Sequence, residues 1–334
     1  MNKRKLGNSG IEVSPMGFGC WAIGGPNKRR SLEGEISEMG WGDVDDAESI
    51  RAIHTAIELG VTLFDTANNY GAGHSEEVLG QALVGKRDKV IIATKFGSVF
   101  DADEKVHIDV DDDESPLDET FIRDAIEGSL RRLQTDYIDL YQCHRGSFPA
   151  DRAPAVVEIL DKLVEEGKIR YYGWSTDHPE RARVFGEGKY GTAVQARLNV
   201  LSDAAEMIAL CDELDLGFLN KSPLNAGLLS GKYDTNTTFP ENDGRHGVDF
   251  KNERIAAMLE RIQNAGEVLR SDGRTMAQGA LAWIWARSER TLPIPGFKSV
   301  KQATENAKAM EFGALTAEQM AEIDRILERD PVLA

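Results

Sequence analysis

Four side chains of this sequence, Asp65, Tyr70, Lys95 and His144, form a set suited to moving one proton. Asp65 follows the apolar run 61–64, Lys95 the run 90–94 and His144 the run 137–143, so each ends a stretch with strand character. Ser175, Gln195 and Ser222 end later runs in the same way. Tyr70 sits in a loop of small polar residues (Asn68, Asn69, Gly71, Gly73) that leads into a helix from Ser75. A free tyrosine, with a pKa of about 10, is a poor acid at neutral pH. An ammonium beside it favours phenolate and lowers that value, and a carboxylate keeps the ammonium charged and in place. His144 can orient a carbonyl and share in the proton transfer. Reducing a carbonyl takes a hydride and a proton; this set provides the proton. Each residue also has a plainer reading: Asp65 as a turn cap before Thr66, Lys95 as a solvated loop residue, His144 as a satisfied core histidine. Three ionisable groups ending three consecutive strands argue for a common role.

Such a set needs strands that end side by side. Short apolar runs occur at 16–20, 61–64, 90–93, 137–141, 169–174, 193–195, 217–219 and 292–294. Helical patterns lie between them, at 46–59, 75–84, 118–133, 153–166, 179–185, 203–214, 275–288 and 300–309. In the first of these, Ile50, Ile53, Ala56 and Ile57 recur at the spacing of one helix face. Strands alternating with helices indicate parallel βα units, and eight such units make a closed barrel the expected architecture. The ends of its strands then converge on one rim, where such folds carry their chemistry. Helical segments at 252–269 and 316–327 fall outside the alternation, and 4–13, with Asn8-Ser9-Gly10 at its centre, reads as a hairpin across the barrel floor. No low-complexity linker divides residues 1–334, which therefore read as one domain.

Cys20, Cys143 and Cys211 are odd in number and far apart, which argues against a disulfide framework or a zinc site and for a reducing, cytoplasmic setting. No run reaches the ~18 apolar residues of a membrane span, and the basic start leads into polar sequence rather than a secretory signal. A net charge of −17 disfavours nucleic acid as a partner, while leaving a phosphate-bearing cofactor open. The acidic run 109–114 reads as solvated loop, since it lacks the glycine turn of a calcium loop.

The segment Phe64-Asp65-Thr66-Ala67-Asn68-Asn69-Tyr70-Gly71, followed by Gly73-His74-Ser75-Glu76-Glu77, resembles the first signature of the aldo-keto reductases. Ala93-Thr94-Lys95-Phe96-Gly97 resembles the segment that carries their lysine, and Tyr141-Gln142-Cys143-His144 the one that carries their histidine. The likeness runs from Leu6-Gly7 to Glu305-Asn306. It implies a (β/α)8 TIM barrel, a tetrad of Asp65, Tyr70, Lys95 and His144, and NAD(P)H-dependent reduction of aldehydes and ketones to alcohols, with Tyr70 as general acid.

A Rossmann-type G-x-G-x-x-G is missing: Gly17-Phe18-Gly19 has no third glycine, and Gly71-Ala72-Gly73 meets Glu76 there. No tyrosine is followed four residues later by lysine, so the short-chain dehydrogenase pair is missing as well. By the resemblance the cofactor instead lies extended over the barrel rim, with Trp21 beside it. Ser175 and Gln195 would hold the nicotinamide carboxamide. Ser222, Pro223, Leu224, Gly227, Leu228 and Ser230 would follow the pyrophosphate, whose approach to backbone amides such small-residue turns permit. Gly296, Lys298, Ser299, Gln302, Glu305 and Asn306 would clasp the adenosine end, with the N-terminus of the helix from Val300 facing a phosphate. Lys298 as partner of a 2′-phosphate favours NADPH, with NADH as the lesser possibility. Three positions depart from the family's usual residues: Thr176 in place of asparagine, Lys221 in place of an aromatic, and Leu198 in place of tyrosine.

Trp21, Trp41, Phe96 and Phe100 are candidate apolar walls for a small carbonyl substrate, and the long acidic connection 100–117 is a candidate lid. The charge of −17 disfavours strongly anionic substrates. Two other readings compete with a carbonyl reductase. A cofactor-binding regulatory subunit of a membrane complex would share the barrel, but the intact tetrad predicts turnover. A barrel metal hydrolase would need several strand-end histidines and carboxylates, and only His144 qualifies, so no metal is expected.

Overall fold

The computed structural model describes residues 1–112 and 117–328. The chain opens with a hairpin of β1 (Arg4–Lys5) and β2 (Glu12–Val13). The strands β3 (Gly17–Gly19), β6 (Leu63–Asp65), β7 (Ile91–Phe96), β10 (Ile138–Cys143), β11 (Ile169–Ser175), β12 (Gly191–Arg197), β13 (Gly217–Lys221) and β14 (Thr291–Pro293) form one parallel sheet in chain order. The Gly19 amide donates to the Pro295 carbonyl at 3.0 Å and Gly19 pairs in parallel with Gly296, bringing the last strand back to the first. The eight-stranded barrel expected from the alternation is thus observed.

The outer layer consists of α1 (Asp46–Glu58), α2 (His74–Ala82), α3 (Glu119–Leu133), α4 (Ala153–Glu165), α5 (Pro179–Gly186), α6 (Ala205–Leu214), α8 (Met276–Arg287) and α9 (Val300–Lys308). Their starts carry the expected chemistry. Asp45 accepts from the amides of Ala47 and Glu48, and Thr275 forms a reciprocal capping box with Gln278. The two additional helices, α7 (Glu253–Leu269) and α10 (Ala317–Ile326), are present, and both pack on α8. That explains why Met276 to Trp285 of α8 are all buried: this helix is covered on every side.

Strand side chains alternate between the barrel interior and the helices. Leu63, Ala93, Leu140, Ala193, Leu219 and Leu292 form an inner apolar layer, which Leu6, Ile11 and Val13 of the hairpin close from below. Gly7 makes this plug possible. It has φ +54°, and a Cβ there would lie 2.2 Å from the Thr192 carbonyl oxygen.

One sheet was not foreseen. β4 (Lys28–Arg30), β5 (Ile36–Glu38), β8 (Val99–Asp101) and β9 (Val106–Ile108) pair in the order β5-β4-β9-β8 beside the rim. The connection 100–117, expected as an acidic loop, therefore begins with β8 and β9; residues 113–116 lie outside the described residues. Within the acidic run, Asp109 is held by the Arg29 guanidinium at 2.8 Å rather than left to solvent.

Candidate active site

Two residues beyond the inner apolar layer, on the same interior faces, come Asp65, Lys95, Gln142, Gln195 and Lys221. The strands run on into these polar residues instead of stopping before them, because the side chains satisfy one another. Lys95 is fully buried, and its Nζ donates to Asp65 Oδ2 at 2.7 Å, to the Thr66 carbonyl at 2.8 Å and to the Tyr70 hydroxyl at 3.0 Å. The Asp65 Oδ1 accepts from Gln195 Nε2 at 2.7 Å and from Gln142 Nε2 at 3.1 Å.

Tyr70 is carried by an irregular turn in which Gly71, Ala72 and Gly73 all have positive φ. The turn abuts residues 22–24 so closely that a Cβ on Gly71 would lie 2.0 Å from the Gly24 carbonyl oxygen. Trp21 meets the Tyr70 ring edge-on at 4.8 Å, and His144 lies across it with ring centroids 5.8 Å apart. His144 follows β10 directly and its amide donates to the Phe96 carbonyl at 2.7 Å, while its Nδ1 is buried without a partner among the described residues. The three residues read from strand ends and Tyr70, read from the loop after Asp65, therefore meet at one point.

The electrostatics refine the sequence reading. Burial pushes the Tyr70 phenol up, Lys95 pulls it down and Asp65 adds to the rise, with a net shift above its ordinary value. The ammonium was expected to win; loss of hydration outweighs it. Burial alone would lower Lys95, but Asp65 and Tyr70 together hold it above the usual lysine value. His144 is driven well below the ordinary imidazole value by burial, then by the positive charges of Lys95 and Lys221. The site thus holds a protonated phenol, a charged lysine and a neutral imidazole.

A cavity of about 740 Å³ opens over this cluster and runs across the rim. Its wall includes Trp21, Asp65, Tyr70, His144, Ser175 and Gln195 at one end, and Gly296, Lys298, Gln302, Glu305 and Asn306 at the other, with Ser222, Pro223, Leu224, Gly227 and Ser230 between. Two anticipated contacts lie off the wall. Leu228 packs on the core, and Ser299 caps α9 by accepting from the Gln302 amide. The N-terminus of α9 is also not free for a phosphate, because the Val300 amide already donates to Glu48 at 2.8 Å. Between Ser222 and Gly227, positive φ at Ser222, Asn225, Ala226 and Gly227 forms a tight turn, anchored where Asn199 Nδ2 donates to the Ser222 carbonyl at 3.0 Å. Turns of this kind aim backbone amides into one concavity.

The departures are accounted for. The Thr176 hydroxyl donates to the Gly146 carbonyl at 2.8 Å, and Lys221 lines the cavity with its ammonium 3.1 Å from Asp177. Leu198 is core. Of the proposed apolar walls, Trp21 and Trp41 line the cavity, whereas Phe96 stacks on Tyr141 in the core and Phe100 lies in β8.

A segment that carried no sequence signal crosses the far end. Asp243 bridges to Trp41, and the Gly244 amide donates to the Gly40 carbonyl at 2.7 Å. Arg245 lies between the rings of Trp41 and Phe239, pairs with Asp243 and lines the cavity. Lys298 reaches the Trp41 carbonyl nearby; burial draws it below the usual lysine value, against the pull of Asp243. A lone arginine in polar sequence gives no cue of this kind.

A sequence model of the aldo/keto reductase family matches residues 15–328. The chain belongs to the aldo/keto reductase family. A probable aldo-keto reductase 1 of Glycine max is 34% identical over 315 residues, covering 92% of this chain and 83% of its own length. An uncharacterised oxidoreductase, YqkF, of Bacillus subtilis is 27% identical, covering 99% of this chain and 98% of its own. Among solved structures, the glycerol dehydrogenase AKR11B4 of Gluconobacter oxydans superposes with a TM-score of 0.80 at 29% identity, covering 98% of both chains. An aldo-keto reductase of Klebsiella pneumoniae, solved in complex with NADPH, gives a TM-score of 0.69 at 27% identity, covering 99% of this chain and 97% of its own. The barrel and its rim cavity are thus those of an aldo-keto reductase, an oxidoreductase family.

Proposed function

We propose that this aldo-keto reductase reduces small aldehydes and ketones to alcohols with NADPH, and that Tyr70 is the proton donor. The observation that carries the reading is the Lys95 ammonium between Asp65 and Tyr70, at 2.7 and 3.0 Å, beneath a cavity whose wall includes Tyr70 and His144. The residues present fit a nicotinamide cofactor. Gln195 commits its amide N–H groups to Asp65 and Gln142, which leaves its amide oxygen for a carboxamide. The tight turn from Ser222 suits a pyrophosphate, and Lys298 with Arg245 suits a 2′-phosphate, so NADH is the weaker cofactor. Two solved structures of aldo-keto reductase from Klebsiella pneumoniae hold NADP and NADPH.

Bound NADPH supplies the hydride to the carbonyl carbon. Tyr70 passes its phenolic proton to the carbonyl oxygen as charge develops there, and Lys95 stabilises the phenolate that remains. Asp65 balances the lysine. His144, neutral, offers one N–H to the same oxygen and sets its direction. Three free, buried cysteines suit a reducing cytoplasm.

The test follows NADPH and NADH consumption with a panel of small aldehydes and ketones in wild type and Tyr70→Phe. Turnover should be higher with NADPH and fall about 10²–10⁴-fold in the variant. Equal turnover in both proteins removes Tyr70 from the mechanism.

A further inference from the structure

Asp65 is fully buried, and its two oxygens divide their partners. Oδ2 takes Lys95, whereas Oδ1 takes the amide nitrogens of Gln195 at 2.7 Å and Gln142 at 3.1 Å. Gln195 Nε2 also reaches Gln142 Oε1 at 3.3 Å. A carboxylate only accepts, so both amides must turn their nitrogens to it, and the pairing orients both. Gln142 is fully buried and stands outside the cavity wall, so it is not placed to touch a substrate. It nevertheless ends in a site where an apolar side chain would need no partner at all.

We propose that Gln142 is a positioning residue for the proton transfer: with Gln195 it draws the charge of Asp65 toward Oδ1 and so leaves Lys95 free to stabilise the Tyr70 phenolate. The proposal rests on Tyr70 as proton donor. The negative charge of Asp65 holds the Tyr70 proton more tightly, since it opposes a second negative charge nearby. Two N–H donors on Oδ1 offset part of that charge. Gln195, which lines the cavity, keeps its own 2.7 Å bond to Asp65, so the 3.3 Å contact with Gln142 is secondary for holding an occupant of the cavity.

Gln142→Met keeps the length of the side chain and removes both polar groups. With NADPH and a small aldehyde at saturation, kcat should fall about tenfold, the effect of losing a hydrogen bond to a charged group. The alkaline limb of the kcat profile should move up by about one pH unit, while NADPH affinity, read from tryptophan fluorescence, stays within a factor of three or so. A second variant, Gln142→Glu, places a carboxyl beside Asp65, where the two share a proton. It should work near wild-type rate at the acid end, where that proton donates to Oδ1, and lose activity progressively as the pH rises. Wild-type kcat and an unmoved limb in Gln142→Met overturn the proposal, as does a lower kcat with an unmoved limb, which marks mere packing. Should Gln142→Met fail to fold, the pH dependence of Gln142→Glu decides alone, and a profile parallel to wild type counts against the proposal. Failure of the underlying reading shows separately, as an active Tyr70→Phe.

Discussion

At the scale of single residues, burial outweighs the charges read from sequence at Tyr70 and His144, whereas at Lys95 the charges of its partners outweigh burial. Tyr70 was expected to be acidified by Lys95, but its environment raises the phenol, and His144 is lowered well below the usual imidazole value. The sign of the pH dependence follows. The proton donor must carry its proton, so activity is lost only as pH rises through a tyrosine value above the ordinary ~10. His144 is lowered, so it stays neutral as pH falls through the usual ~6.5. We expect kcat to be flat between about pH 6 and 10 and to fall only above it. A kcat profile with a break near pH 6.5 would assign His144 an ionised role instead. Three members of the tetrad were legible because each ends a strand, and Tyr70 because it lies in the small-residue loop that follows Asp65. Gln142, two residues before His144, lies inside the run 137–143, so a rule that looks only past the end of each run passes over it.

At the scale of elements, the Tyr70 turn is the part most dependent on its neighbours. Gly71 combines φ +61° with an approach that puts a new Cβ 2.0 Å from the Gly24 carbonyl oxygen. Gly71→Ala should cost about 1–2 kcal/mol for the backbone alone. The clash then displaces Tyr70 from Lys95. The expected result is a large drop in kcat with a modest drop in melting temperature, measured side by side; an unchanged kcat would show that the turn relaxes without moving the phenol. Behind the turn, Glu76 is buried and accepts from Thr94 and Arg132, tying α2 to β7 and α3. Helices were readable from their period and barrel strands from buried apolar runs, whereas β4, β5, β8 and β9, of three residues each, are largely exposed or half-buried and carry no apolar run to read. Strands that short exist only through their pairing.

At the scale of the whole molecule, the rim cavity is closed by parts remote in sequence, with residues 40–43 meeting 242–245 across its far end. A ligand bound there stabilises the folded state alone. NADPH at a hundred times its dissociation constant should therefore add about 2.7 kcal/mol and raise the melting temperature by several degrees. At equal concentration NADH should raise it less, and Lys298→Met should bring the two shifts together. Identical shifts in the wild type would remove the 2′-phosphate from the reading of Lys298 and Arg245.

The alternation of apolar runs and helical faces was enough to predict an eight-stranded barrel, because both periods are local and each unit repeats. The ends of those runs likewise marked Asp65, Lys95 and His144, since a strand facing the barrel interior leaves its first polar residues at the rim. Three matters were decided only in three dimensions. The sign of the Tyr70 shift depends on hydration lost to neighbours from several strands. Arg245 and the segment that carries it reach the cavity through backbone contacts that no side-chain pattern records. The bond of Gln142 to Asp65 joins β10 and β6, which are distant in the chain but flank β7 in the sheet, and the curvature of the barrel turns their interior faces to within 3.1 Å of each other.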